Sequence, residues 1–258
     1  MIGSDGASGQ GNGNGNGAGT MEFTLDVALV REILRHEKAL AADELGTAGP
    51  VGAQLRSGVR HDSRLASAPD AATLACRPGC AWCCHFTVDV RPVEVFTILD
   101  YVERSLTDDE RARVYAEVRA NSTWLREIGA DERFTTNVKC PFLRDARCVI
   151  YPVRPQSCRN YHATDAAGCR QSYEVPDDLG IDPDFAPGVY QVGAAHVEAF
   201  TAAMRDRGYD VDAYELSTAL DSALTRPGAR ERFEARQKPF PGLDGDEVTP
   251  EFDDLGDR

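Results

Sequence analysis

The sequence lacks long apolar runs and an export signal. No run of roughly eighteen apolar residues occurs, so we expect that the chain does not cross a membrane. Residues 1–20 are rich in glycine and asparagine, and they contain neither the basic segment nor the apolar segment of a secretory signal. We therefore expect a cytoplasmic protein that is disordered over residues 1–20, and Met21 is a candidate start of the protein.

Positive charge is scarce. The 258 residues include 28 lysines and arginines against 42 aspartates and glutamates, which gives a formal net charge of −14. Such an excess of negative charge opposes binding to nucleic acid or to an anionic membrane surface, so we expect neither as a partner. Composition does not indicate whether a substrate would be a protein or a small molecule.

Cysteine is absent from most of the chain and concentrated in one stretch. A tight group consists of Cys76, Cys80, Cys83 and Cys84, and an open group consists of Cys140, Cys148, Cys158 and Cys169. Structural disulfides are rare among the reduced thiols of the cytoplasm. Ligation of metal by all eight cysteines is therefore our preferred interpretation, ahead of disulfides and of redox-active or inert thiols.

The spacing of the tight group favours a cluster or a site with several metals. Paired C-x2-C units, which are typical of two zinc knuckles, do not occur. A helical turn would place Cys80, Cys83 and Cys84 on one side, and Cys76 would approach from the preceding loop. Soft thiolates bind iron–sulfur clusters and zinc, so we expect an iron–sulfur cluster as cofactor, with zinc or iron ions as the alternative.

The open group lies in a basic island of this acidic chain. Between Lys139 and Arg170 there are six cations and two acids, a net charge of +4. A thiolate-rich centre is anionic, and nearby guanidinium groups would stabilise it and lower the pKa values of the cysteines. The alternative is that these arginines are solvated side chains of a loop.

Three histidines lie in informative positions. His85 directly follows the tight group, and His162 lies four residues after Cys158, on one face of a helical turn that starts at Pro155. Each is either a metal ligand, a donor to a cluster sulfur, or an ordinary hydrogen-bonded histidine. His196 lies on the apolar face of a later helix and is predicted to belong to the core.

Apolar periodicity predicts a mainly α fold with little strand, folded around an irregular cysteine-rich metal-binding core. Helices are expected over residues 24–46, 54–65, 92–106, 107–129, 188–207, 213–225 and 229–236, with a short hairpin that turns near Asp145. The sequence thus predicts one helical domain over 21–240 with a cysteine module at about 74–170, followed by a disordered acidic tail over 241–258.

The combined pattern resembles the YkgJ-type cysteine-cluster family. The resemblance is carried by Cys-x-x-Gly-Cys-x-x-Cys-Cys at 76–84, Cys-Pro-Phe-Leu at 140–143, and Cys-x-Ile-Tyr-x-x-Arg-Pro-x-x-Cys-Arg-x-Tyr at 148–161. Members are described as zinc- or iron-chelating domains and are often labelled iron–sulfur oxidoreductases. A flagellin lysine N-methylase shares the cysteine pattern, which implies that the module can serve methyl transfer. The resemblance implies a metal centre more directly than a reaction.

The tight group is also similar to the radical-SAM signature, through Cys76-x3-Cys80-x-Trp82-Cys83. That resemblance implies repeated strand–helix units, whereas helices follow the motif here and Cys84 and the open group are left unexplained. A radical-SAM enzyme is therefore a minor alternative. The main alternative to a catalytic metalloprotein is a non-catalytic zinc-stabilised scaffold or metal-handling module.

Overall fold

The structure, a computed structural model, describes residues 24–252 and residue 255. Within these residues it contains ten α-helices and four strands of two residues each, so the fold is mainly α, as predicted. None of the helices in this part of the chain is long and apolar enough to cross a membrane. The expected disorder over residues 1–20 lies outside the described residues.

The elements follow one another in a simple order. The helices are α1 (Val27–Thr47), α2 (Gly49–Ala66), α3 (Pro92–Ser105), α4 (Asp108–Leu125), α5 (Ala130–Phe134), α6 (Gln156–Asn160), α7 (Ala166–Glu174), α8 (Pro187–Asp206), α9 (Leu216–Thr225) and α10 (Ala229–Glu234). The strands are β1 (Asp89–Val90), β2 (Leu143–Arg144), β3 (Arg147–Cys148) and β4 (Tyr214–Glu215), which pair antiparallel as β1 with β4 and β2 with β3.

Local sequence explains where several helices begin. Pro92 opens α3, where the missing N–H of proline is tolerated. Thr107 and Glu110 form the predicted capping box of α4, because each side chain accepts the backbone N–H of the other residue. Asp26 caps α1 by accepting the N–H of Leu29. The predicted starts of α3 and α4 are confirmed.

Helix α2 is longer than the sequence predicted. It starts directly after α1, at Gly49, whose φ of +70° allows the sharp reversal between the two helices. Apart from Leu65, its buried face consists of small or polar residues, among them Ser57, Gly58 and His61. Such a face gives little apolar periodicity, which is why the predicted helix covered only 54–65.

Two apolar cores share helix α8. The larger core joins α3, α4, α9 and α10 with the end of α8, and its buried residues include Phe96, Phe200 and Phe233. The smaller core joins α1, the end of α2 and the beginning of α8, with Val30 and Val192 among its members. Helix α1 packs along α8, so the first and last long helices lie side by side.

Part of the acidic tail is attached to the domain, in contrast to the predicted disorder over 241–258. Asp246 pairs with Ala213, and Phe252 is only 5% exposed in the smaller core. The carboxylate of Glu198 accepts the backbone N–H groups of Glu251 and Phe252 at 2.8 and 2.9 Å. The prediction followed from the acidic composition of the tail. It did not consider that Phe252, the aromatic residue of the tail, could be buried. Residues 253–254 and 256–258 lie outside the described residues.

Candidate metal centre

The tight cysteine group lies in a loop and a short 3₁₀ helix. The N–H of Cys80 donates to the carbonyl of Arg77 in a turn that contains Gly79 at a φ of +92°. The 3₁₀ helix begins only at Trp82 and has about three residues per turn. The expectation that one α-helical turn would align Cys80 with the next two cysteines is therefore wrong.

The thiols of Cys83 and Cys84 are neighbours that affect each other's ionisation. The interaction with Cys83 lowers the pKa of Cys84, and the interaction with Cys84, together with burial, raises the pKa of Cys83. A negative charge in the tight group is therefore favoured at Cys84.

Main-chain hydrogen bonds bring the two cysteine groups together. The N–H of Cys140 donates to the carbonyl of Cys84 at 2.8 Å, so the open group begins directly against the end of the tight group. The N–H of Ala75 donates to the carbonyl of Ala163 at 2.9 Å, and the same carbonyl lies 3.9 Å from the sulfur of Cys76. Although α3 and α4 separate the groups in sequence, they meet in space, as expected.

A hairpin presents Cys140 and Cys148. Strands β2 and β3 are joined by Asp145 and Ala146, whose φ angles of 47° and 57° are those of a tight hairpin turn. The predicted hairpin is confirmed. Burial raises the pKa of Cys140 to about 12 and that of Cys148 to about 11. Backbone hydrogen bonds from Phe142 to Cys140 and from Ile150 to Cys148 act in the opposite direction and lower these pKa values. Those N–H groups are placed to stabilise thiolates when a metal replaces the protons.

Helix α6 carries Cys158 and is anchored by Glu94 of α3. One carboxylate oxygen of Glu94 accepts the N–H of Gln156 at 2.7 Å, and the other accepts the N–H of Arg91 at 2.8 Å. Burial raises the pKa of Cys158 well above its usual range, and Cys140, Cys148 and Cys84 add to the effect. Helix α6 ends at Asn160, so His162 does not share a helical face with Cys158, contrary to the prediction.

Cys169 lies on a helix that was not predicted. No helix was expected over residues 163–187, but α7 carries Cys169 and leaves it 5% exposed. Asp165 caps α7 by accepting the N–H groups of Ala167 and Gly168, and this N-cap aspartate was the available signal. Burial raises the pKa of Cys169 to about 11, with further contributions from Cys76 and Cys80. Cys169 therefore adjoins the tight group.

The donor set fits a soft metal in its chemistry. All eight cysteines are free thiols, and each of Cys140, Cys148 and Cys158 lies within electrostatic range of Cys84. Over residues 24–252 and 255, no three His, Cys, Asp or Glu side chains are placed closely enough to hold a metal ion as they stand. Metal ligation therefore requires the thiol side chains to move closer together. The main chain already joins the two cysteine groups through the hydrogen bond from Cys140 to Cys84.

Four of the six cations of the basic island pair with carboxylates outside the island. Arg154 and Arg159 both pair with Asp62 of α2, and their positive charges lower the pKa of Cys148, although burial outweighs them. Arg144 pairs with Glu117 at 3.1 Å, and Arg170 pairs with Glu174 at 2.7 Å. These partners are distant in sequence or on another helix turn. The sequence therefore gives no indication that four arginines of the island are already paired.

Aromatic and histidine side chains cover one side of the tight group. The ring of Tyr173 on α7 packs 5.3 Å from Trp82 and 4.8 Å from His85. Tyr161 packs edge-on against Phe86 at 6.2 Å. Nδ1 of His85 lies 3.1 Å from the carbonyl of Ala81, so this nitrogen bonds within its own turn.

Polar residues of α2 support the module, although no sequence pattern pointed to them. Nε2 of His61 lies 2.7 Å from Oδ1 of Asn160 at the end of α6, and the His61 ring stacks on His196 at 4.5 Å. The guanidinium of Arg159 also donates to the carbonyl of Gly58. His196 is fully buried, as predicted. Spacing along the chain gives no indication of contacts between residues so far apart.

Comparison with known proteins supports this assignment. Residues 75–178 match the model of a family described as "CxxCxxCC: Putative zinc- or iron-chelating domain". No curated protein and no solved structure matches the chain. The matched segment includes all eight cysteines, the hairpin, α6 and α7. The cysteine-rich segment of this chain therefore matches the family that its cysteine spacing suggested.

Proposed function

We propose that the protein holds a thiolate-ligated metal centre, an iron–sulfur cluster in the first instance, and serves as an oxidoreductase. The observation that carries the proposal is the convergence of eight free thiols from two cysteine groups, joined by the hydrogen bond between Cys140 and Cys84. A reducing cytoplasmic compartment, in which thiols stay reduced, suits this function.

The chain supplies the ligands and their surroundings. The eight cysteines would hold the centre, and the N–H groups of Phe142 and Ile150 would stabilise two of the sulfurs. Trp82 and Tyr173 would limit contact with water. When bound, an iron–sulfur cluster supplies one-electron chemistry at a potential that depends on such hydrogen bonds and on solvent exposure.

A non-catalytic zinc-stabilised scaffold or metal-handling module is the second candidate. The observation in its favour is the position of a cavity of about 300 Å³, which lies between α3, α9 and α10 and is lined by Phe96, Leu224 and Arg230. This cavity is not beside the cysteines. Structural zinc sites are closed by four protein ligands and need no substrate pocket.

Methyl transfer and radical-SAM chemistry rest on resemblance alone. A radical-SAM barrel consists of repeated strand–helix units. Within the described residues, the strands have two residues each and form two separate antiparallel pairs. This architecture opposes the radical-SAM alternative, and a methyl-transfer role has no further support from the fold.

Anaerobic purification followed by analysis of iron, zinc and acid-labile sulfide tests the proposal. We expect a brown protein that contains iron and sulfide, and Cys158→Ser should reduce both. Ser157→Ala, at the neighbouring position of α6, is the matched control and should retain them. Zinc without sulfide would favour the second candidate. A wild-type protein that retains no metal and cannot be reconstituted would contradict both.

A further inference from the structure

We propose that His61 of α2 and Gly193 of α8 are positioning residues of the metal centre. Both lie outside the segment 75–178 that matches the family, and both contact Asn160, the last residue of the helix that carries Cys158. This inference rests on the proposed function and deepens it, because it makes the two flanking helices part of the metal site.

Helix α6 depends on other elements for its shape. It has five residues, and an isolated helix of fewer than about twelve residues is marginal in water. Cys158 is its central residue, so the place of this thiol depends on the bonds that tie the two ends of α6 to the rest of the molecule. The first end is bonded to Glu94, which accepts the N–H of Gln156 at 2.7 Å. The second end is bonded to α2.

The last two residues of α6 are bound to one turn of α2. The guanidinium of Arg159 donates to the carbonyl of Gly58 and pairs with Asp62. It fits there because Gly58 has no side chain, since a Cβ at this position would lie 3.2 Å from Nη2 of Arg159. Oδ1 of Asn160 lies 2.7 Å from Nε2 of His61. The end of α6 therefore takes its position from α2.

The ring of His61 is directed at Asn160. An amide oxygen only accepts hydrogen bonds, so Nε2 of His61 carries the proton and is the donor. The ring is 0% exposed and stacks on His196 at 4.5 Å, which fixes its orientation. Among residues 24–252 and 255, Nδ1 of His61 is buried without a hydrogen-bond partner. The bond to Asn160 is therefore the polar contact that offsets the burial of this ring.

Gly193 leaves room for the side chain of Asn160. A Cβ at position 193 of α8 would overlap Oδ1 of Asn160 and would lie 3.0 Å from its Cγ, which is closer than side chains pack. Alanine is more favourable than glycine within a helix, but only glycine admits this approach. Asn160 is thus in contact with the backbone of α8 as well as with the ring of His61.

A displaced Asn160 would shift the thiol of Cys158, two positions before it. Metal–ligand distances vary by only about 0.2 Å, so even a small shift of Cys158 would weaken its bond to a metal. Residues that orient ligands without touching the metal change metal affinity by about 10-fold to 100-fold. We expect His61 and Gly193 to act at the lower end of this range.

Zinc competition titration of the full-length protein, with the absorption spectrum of its cobalt(II) form, tests the role of His61. His61→Leu removes the donor and keeps a buried apolar side chain. Zinc affinity should fall about 10-fold, and the thiolate-to-cobalt bands should shift or weaken. His61→Gln supplies an amide N–H as donor and should restore both to near the wild-type values. This rescue separates the hydrogen bond from packing.

Gly193→Ala is an independent test. It should also weaken zinc binding about 10-fold, because the new Cβ displaces Asn160. In the Asn160→Ala background it should add little, since the atoms of Asn160 that the Cβ would meet are gone. Gly46→Ala on α1 is the matched control, because a Cβ there would lie 3.7 Å from the Arg207 guanidinium, and it should leave zinc affinity unchanged.

Other outcomes would contradict specific parts of the inference. Unchanged zinc affinity in either His61→Leu or Gly193→Ala removes that residue from the site, and unchanged affinity in both overturns the inference while the proposed function stands. Equal losses in His61→Gln and His61→Leu overturn the role of the hydrogen bond. Additive losses in Gly193→Ala and Asn160→Ala overturn the role of Gly193.

Circular dichroism checks that each variant keeps its helices. If His61→Leu does not fold, Asn160→Ala decides, because it removes the same hydrogen bond at a half-buried residue. A loss of about 10-fold in zinc affinity is then expected, and no change overturns the inference. A wild type that binds neither zinc nor cobalt overturns the proposed function, and this inference with it.

Discussion

Glu37 on α1 is fully buried and holds two arginines of α2. Its oxygens lie 2.7 Å from Arg60 and 2.6 Å from Arg64, and Ser57 donates to it at 2.8 Å. Although burial opposes ionisation, these hydrogen bonds lower the pKa of Glu37. The Ser57 hydroxyl is used as a donor, so its oxygen accepts from Nε2–H of His196, and Nδ1 of His196 accepts from Arg64. His196 is therefore neutral.

Removal of the Glu37 charge should be strongly destabilising. Glu37→Gln leaves Arg64, whose side chain is only 18% exposed, without a carboxylate partner, whereas Arg60 keeps its pair with Glu44 at 2.8 Å, and we expect a loss of about 3 kcal/mol. Lys38→Ala is the control on the same helix, because its pair with Asp206 is 48% and 61% exposed and should contribute below about 1 kcal/mol. Urea unfolding measures both, and equal losses would contradict the expectation.

Stability should fall as the pH drops below about 6.5 because of His196. Burial, with the charges of Arg64 and Arg60, lowers its pKa to about 2, so in this range the unfolded chain binds a proton that the folded chain does not. The loss is about 1.4 kcal/mol per pH unit for one such histidine. Unfolding of metal-free protein at pH 7.5, 6.0 and 5.0 measures it, and His196→Gln should reduce the slope. An unchanged slope in that variant would contradict the assignment.

At the scale of elements, α6 depends on a glutamate of another helix. Glu94 occupies the third position of α3, the usual place for a capping-box glutamate, but it also accepts the first N–H of α6. Local signals therefore identified the starts of α3 and α4, whereas the bond from Glu94 to the metal-binding helix could not be predicted from local sequence.

Glu94→Gln should weaken metal binding although Glu94 is not a ligand. The amide keeps one acceptor oxygen and loses the other, so either Arg91 or Gln156 loses its partner. Supporting residues of this kind change metal affinity by about 10-fold to 100-fold, and we expect about 10-fold. Zinc competition titration measures it. Glu110→Gln alters the corresponding position of α4, far from the cysteines in sequence, and should leave affinity unchanged. An equal loss of zinc affinity in Glu94→Gln and Glu110→Gln would show that the hydrogen bond between Glu94 and α6 has no effect of its own.

At the scale of the whole molecule, the sequence predicted the helical class and the meeting of the cysteine groups from periodicity and spacing. It did not predict the partners of buried polar residues. Asp62 neutralises Arg154 and Arg159 across about ninety residues of sequence, and His61 reaches Asn160 in the same way. The start of α2 and the attachment of the tail were missed for a related reason, since α2 packs through small and polar residues and the tail has a single aromatic residue, Phe252, in the smaller core. Contacts of this kind depend on tertiary structure that no local pattern encodes.

Removal of the metal by a chelator should destabilise some segments of the molecule more than others. Removal of metal should raise amide hydrogen exchange over residues 76–85 and 156–174, because metal binding energy is also folding energy for segments with few apolar contacts. The hairpin should stay protected, since Phe142 and Ile150 are each 1% exposed in the larger core. Helices α8 and α9 should also stay protected and serve as the internal reference. A uniform increase, or none, would contradict this expectation.

The packing of α1 along α8 has a consequence for the order of events during synthesis. The N–H of Asp26, at the start of α1, donates to the side chain of Gln191 across 165 residues of sequence. On a growing chain, α1 emerges from the ribosome long before α8 and lacks its main partner until then. Such long-range pairing is slow because a large loop must close first. The whole cysteine segment is therefore translated before the helices on either side of it can join.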